Sequence, residues 1–295
     1  ESLAANTTAS NNTAVGKGSL TTNTTGADNV AVGFTALTAN TTGGDNIAIG
    51  SQSLLANTTG GDNVSIGTDA MQSNTTGTDN VAIGKDCMLA NTEGVNNVAM
   101  GNISLIGNTT GSRNTAIGAE SMNDNTTADN NTAIGYASLS KNTTGTSNTA
   151  LGWAALEVNT TASNNIAVGH AAARSNTTGT RITAIGYAAL DGQDTENDNN
   201  YAGDAITSGD GNTAFGHLAG TVLNTGGGNT CIGYGSGGVL TSGSDNVLIG
   251  LDAGNVSTGS NQLYIARTSG NNSVASVWIY GNASGACYQG NNSSS

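Results

Sequence analysis

Large apolar residues recur along this chain at a fixed interval, and nearly everything between them is small or polar. Counted from the Asn that opens each unit, position four is Val15, Val32, Ile49, Ile66, Ile83, Met100, Ile117, Ile134, Leu151, Val168 and Ile185, a spacing of seventeen throughout. Position nine is nearly always Leu or Met, as in Leu37, Met71, Leu139 and Leu156, while positions three and eight hold Ala, Ser or Cys. The openers are Asn12, Asn29, Asn46, Asn63, Asn80, Asn97, Asn114, Asn131, Asn148 and Asn165, then Ile182; after a break, Asn212, Asn229 and Asn246 resume the period. The unit reads N-x-A-I-G-x-x-S/A-L-x-x-N-T-T-G-x-D/N. Such self-similarity marks a repeat architecture.

Seventeen residues are too few for two packed helices and their loop, and a Gly at position five weakens any helix. The unit therefore predicts one coil of a parallel β-solenoid (β-roll), and the chain an all-β stack of about fourteen coils. At about 4.8 Å per coil the expected rod is roughly 70 Å long. Stacking places Asn on Asn and Thr on Thr, and such ladders explain why identity recurs. The expected organisation is a regular solenoid over residues 1–198, an acidic irregular insertion over 199–211, a second solenoid segment over 212–260, and a C-terminal strand and capping segment over 261–295.

Along the strand, positions two and four point to one side and positions three and five to the other. None of these positions is charged in any of the fourteen units. A strand that is apolar or small on both sides is usually covered on both, so one face is expected to line the coil and the other to meet another chain. Charges collect elsewhere: Lys17 and Lys85 at position six, Arg174 at ten, and Asp28, Asp45, Asp62 and Asp79 at seventeen. Burying two large side chains gains only about 3 to 6 kcal/mol per coil, against about 1 to 2 kcal/mol of ordering cost for each residue. Backbone ladders and an inter-chain face have to supply the remainder.

Composition narrows the reading. With 44 Gly, no Pro, 4% aromatic and 9% charged residues, the chain cannot assemble a conventional core of large side chains. A net charge of -13 offers no footprint for nucleic acid or anionic lipid. No apolar run is long enough for a membrane span, and no signal segment is present. The chain starts without Met and in mid-coil, with Leu3 on position nine, as a mature product or a fragment would. An open coil is a template for another strand, so a head-to-tail filament, closed by "VASVWIY" of a neighbour, is one expected assembly.

The segments "NTAIG", "NVAIG" and "NIAIG" resemble the head repeats of the YadA-like trimeric autotransporter adhesins, whose units are shorter. The longer unit with "NTTG" is similar to repeats of secreted bacterial and phage tail-fibre-like proteins. Their typical finish is matched by "NQLYIARTSG" and "VWIYGNASG". The resemblance implies a left-handed, homotrimeric β-roll on an extracellular fibre, at a cell or virion surface, with structural or adhesive work.

Several features are candidate sites. Asn6, Asn23, Asn40, Asn57, Asn74, Asn108, Asn125, Asn142, Asn159 and Asn176 each stand in N-T-T, an acceptor sequence for N-linked glycan, although the same residues suit a turn. The Thr rank beside them is a candidate for ice binding, with only one Thr per coil facing outward. Position six gives Tyr136, Trp153, His170 and Tyr187 on consecutive coils, then His217 and Tyr234: a stripe of rings for surface carbohydrate or a partner, or cross-strand stacking alone. The insertion crowds Asp191, Asp194, Glu196, Asp198, Asp204 and Asp210, with Asp194, Glu196 and Asp198 the candidate Ca²⁺ ligands. It is also the one place with enough carboxylates for catalysis, and the chain is expected to be no enzyme. Cys87 and Cys231 fall on small lattice positions, whereas Cys287 lies outside the lattice and is open to pairing between chains.

Overall fold

The structure, a computed structural model, describes residues 1–191, 209–223, 225–254, 259–266, 277–281 and 287–289. Each coil contributes one short strand at positions two to four. In the first of two compact units, Glu1–Thr146, these are β1 to β8: Thr13–Val15, Val30–Val32, Ile47–Ile49, Val64–Ile66, Val81–Ile83, Val98–Met100, Thr115–Ile117 and Thr132–Ile134. They pair parallel and in register, Ala31 on Ala48 and Ala48 on Ser65, through the whole series. This is the β-solenoid that the period predicts.

The second unit, Ser147–Ser295, repeats the pattern in β9 to β14: Thr149–Leu151, Ile166–Val168, Thr183–Ile185, Thr213–Phe215, Thr230–Ile232 and Val247–Ile249. Ala184 of β11 pairs with Ala214 of β12, so the register resumes unchanged after the break in the repeat. β15 (Leu263–Ala266) adds in parallel, and β16 (Val277–Gly281) and β17 (Cys287–Gln289) then turn antiparallel. Among the described residues no helix is long and apolar enough to cross a membrane.

Three-residue strands suffice because the hydrogen-bond ladder continues around the coil. Leu37 N–H donates to the Ser53 carbonyl at 2.9 Å, Ala39 to Leu55 at 3.1 Å, Thr41 to Thr58 at 2.9 Å and Gly50 to Val32 at 2.9 Å. Backbone groups that turns would otherwise leave bare are thus paired with the neighbouring coil. Position five must be Gly for two reasons. Its φ is about +138° at Gly50, and a Cβ there would stand 2.3 Å from the carbonyl oxygen of Gly67.

Positions seven, nine and seventeen also adopt left-handed φ, at 50° for Ile103, 53° for Leu105 and 58° for Asp62. At position seventeen the recurring Asp and Asn suit this conformation. At position nine the turn sends the side chain inward, and Leu20, Leu37, Leu54, Met71, Met88, Leu105, Met122, Leu139 and Leu156 are wholly buried.

The lumen is narrow. In the first unit it is filled by Ala, Ser or Cys at positions three and eight, Leu or Met at nine, and Asn at one and twelve, with Gly or Ala at fifteen completing the wall; in the second, Leu223 and Leu240 are buried at twelve where Gly220 and Gly237 hold nine. Position four corrects the expectation of two large buried side chains per coil. Its Ile and Val residues sit on the outer face, half-buried or exposed, as at Ile49 and Met100. Side-chain alternation around the buried Ala at position three forces this. The large-residue core gain is therefore about 1.5 to 3 kcal/mol per coil, and ladders carry more of the stability than the sequence suggests.

Candidate functional site

The N-T-T asparagines face the lumen. Asn23, Asn40, Asn57, Asn74, Asn108, Asn125, Asn142, Asn159 and Asn176 have no exposed surface, and Asn6 in the terminal coil is half-buried. In the first unit each amide bridges coils: Asn57 Nδ2 donates to Asn40 Oδ1 at 2.9 Å and to the Gly60 carbonyl at 2.9 Å. Asn176 does the same toward Asn159 and Gly179, both at 3.0 Å. A glycan needs that same nitrogen, at the surface. The acceptor reading is therefore corrected for the folded chain at these nine positions: they are structural ladder residues. A second buried ladder runs through position one, where Asn46 Nδ2 donates to Asn29 Oδ1 at 3.1 Å and to the Gly60 carbonyl at 2.9 Å.

The Thr rank splits in two. At position thirteen the hydroxyls donate along the stack, as from Thr41 to the Thr58 carbonyl at 3.0 Å, while the position-fourteen Thr residues are exposed. One exposed Thr per coil is flanked by position seventeen, which holds the exposed Asp28, Asp45, Asp62 and Asp79. On those four consecutive coils a charged neighbour binds its own hydration water and spoils a surface meant to order an ice-like layer.

Position six lines one outer edge. Within the second unit five rings stack nearly parallel: Trp153 on His170 with centroids 4.5 Å apart, His170 on Tyr187 at 5.0 Å, Tyr187 on His217 at 5.0 Å and His217 on Tyr234 at 4.9 Å. Tyr136 occupies the same position in the first unit and is 46% exposed. Parallel strands at β-spacing impose the pitch. Because the inner rings cover one another's faces, they offer a passing sugar mainly their edges.

The column belongs to a larger surface. Among the described residues, fourteen of the fifteen exposed large hydrophobic side chains fall at positions two, four or six, Val239 being the exception. None of the 20 acids of the chain stands at those positions. The result is an acid-free stripe along each unit, interrupted in the first by Lys17 and Lys85 at position six. The sequence signals it through uncharged strands, but not which strand face lies outside.

Of the acidic residues near the break, Asp194, Glu196, Asp198 and Asp204 lie outside the described residues. Asp210 is exposed, and the Thr180 backbone N–H donating to it at 2.9 Å holds its carboxyl below the usual range. Asp191 is buried at position ten, 3.4 Å from Arg174 Nε and within 3.4 Å of the Ser175 hydroxyl. Burial pushes its carboxyl up to about 7 even though Arg174 pulls the other way. The shared position on successive coils was the available sequence signal for this ion pair. Among the described residues no three His, Cys, Asp or Glu side chains converge as a metal site.

Cys87 and Cys231 are buried free thiols, and burial raises both to about 12. Cys287 contributes backbone to β17. Compared with family models, curated proteins and solved structures, the chain matches none.

Proposed function

We propose that this chain is a structural module of an extracellular fibre, a left-handed β-roll that assembles with copies of itself, as a homotrimer, along its outer stripe. The observation that carries the reading is the acid-free stripe on a chain of net charge -13. An acidic protein repels its own copies except where acids are absent. The stripe also repeats at the coil pitch, so a second solenoid can interdigitate with it coil by coil, while an irregular surface meets only a few coils.

Its size supports the same reading. From position two to six the stripe is about 13 Å wide, giving about 60 Å² per coil. The eight coils of the first unit then offer about 500 Å² and the six of the second about 350 to 400 Å², and with both engaged these reach the area per partner of a standard specific interface. The resemblance of "NTAIG" and "NTTG" to fibre-head repeats adds the trimer, the handedness and the surface location. The module acts through length, ladder-locked backbone and surface rather than through a reaction.

Light scattering coupled to gel filtration tests the assembly. The expected mass is three times 28.9 kDa, in particles of fixed length by electron microscopy. A mass of one chain at micromolar concentration overturns the reading, and particles of indefinite length replace the trimer by an end-to-end filament.

A further inference from the structure

We infer that the ring column is a pH-responsive anchor in the contact between copies: a second copy seats on it while both imidazoles are neutral, and their protonation drives that copy off. This rests on the self-association proposed above. From position two to position nine, the coils of β9 to β13 contain no carboxylate, amine or guanidinium; the runs are "TALGWAAL", "IAVGHAAA", "TAIGYAAL", "TAFGHLAG" and "TCIGYGSG". The first unit differs, with Lys17, Asp69, Lys85, Asp86 and Glu120 at positions six and seven. The coils of β9 to β13 therefore present a neutral face anchored by five stacked rings, and the nearest acid beyond them is Asp252 at position seven of the β14 coil, whose N–H donates to the Tyr234 carbonyl at 2.8 Å. Rigid aromatic side chains of this kind dominate the energetics of protein contacts.

Two histidines sit inside that column, and histidine changes charge between about pH 5 and 8. His170 lies between Trp153 and Tyr187, and His217 between Tyr187 and Tyr234. Their flanking residues are Gly169 and Ala171, and Gly216 and Leu218. Tyrosine stays neutral below about pH 10, and Cys231 is a buried thiol held neutral. Among the described residues no carboxylate stands at positions two to nine of these five coils, and the stripe of a second copy carries no acid at positions two, four or six. In a separate chain, an imidazolium between two rings is tolerated, with its faces on π-systems and its edge in water. Once a second copy covers the edge, the charge loses its water and meets a stripe with no carboxylate at positions two, four or six, a costly burial.

The test is sedimentation of the full chain at pH 7.5 and pH 5.0, beside His170→Phe/His217→Phe, which keeps rings at sites where Phe34 stands in the first unit. The wild-type chain is expected to associate at the higher pH and weaken by about tenfold per imidazole at the lower. The association of the double variant is expected not to change between the two. His170→Gln/His217→Gln, which removes the rings, loses the pH response as well. Equal wild-type association at both pH values overturns the inference and leaves self-association standing. A variant that dissociates in acid as the wild type does, through unfolding or otherwise, overturns it too. A wild-type monomer at both pH values removes both readings.

Discussion

Asn74 lies one coil after Asn57 and donates its side-chain amide to Asn57 Oδ1 at 2.8 Å, while also reaching the Gly77 carbonyl at 3.0 Å. Its own Oδ1 accepts from Asn91 at 2.8 Å, so one buried residue ties three coils. Asn74→Asp swaps the donor for an anion facing two oxygens, and we expect a loss of about 3 to 5 kcal/mol, as for an unpaired buried charge. Asn74→Ala costs less, about 1 to 3 kcal/mol for the groups left unpaired. Urea unfolding of the two variants checks the order.

Left-handed φ at positions seven and nine has opposite consequences for glycine substitution. Ile103 is β-branched, at φ 50° and half-buried, so Ile103→Gly relieves backbone strain of about 1 to 2 kcal/mol. A modest rise in melting temperature is expected. Leu105 has nearly the same φ but is wholly buried, and Leu105→Gly loses at least the 2 to 5 kcal/mol typical of emptying a core site, roughly. Both melting temperatures rising, or both falling equally, would contradict this division of strain and burial.

Asp191 predicts a pH dependence that one substitution removes. Its folded carboxyl is raised from 3.8 to about 7, chiefly by burial. A raised acid favours the protonated folded state, so stability declines as pH climbs from about 4 to 7 and is level above. The slope from this group is at most about 1.4 kcal/mol per pH unit. Asp191→Asn should show that decline removed, read as the difference between the two chains in thermal melts across pH 4 to 8. Identical pH profiles would place the ionised carboxylate comfortably beside Arg174.

Cys87 and Cys231, with thiols near 12 and no exposed surface, should resist alkylation at pH 8 in the folded chain and react promptly in denaturant. Mass spectrometry of tryptic peptides after iodoacetamide distinguishes the two sites.

The coil was legible because its period is unbroken over many units and because Gly at position five admits no alternative. The orientation of the strand was not. With Ala at position three and Ile at four, a pattern of uncharged residues does not say which side is the lumen; the width of the tube does, and only small side chains fit beside the Asn ladders. The N-T-T motif misled for a related reason. It records a tripeptide, whereas accessibility of the nitrogen depends on Asn57 meeting Asn40 seventeen residues away. Position six was readable as a stripe of rings, but the parallel overlap that covers their faces depends on strand spacing. Asp191 and Arg174 share a position on neighbouring coils, but how little water reaches them depends on the packing of the coils around them.

The ladder bonds of the stack join a residue to a fixed position of the adjoining turn, as Thr41 does with Thr58 and Leu37 with Ser53. Because those partnerships are identical from turn to turn, excising one whole period, for example residues 63–79, lets the turns on either side meet each other on the same terms. Reach can therefore be lengthened or trimmed by a single duplication or deletion in the coding DNA, with no redesign of any remaining junction.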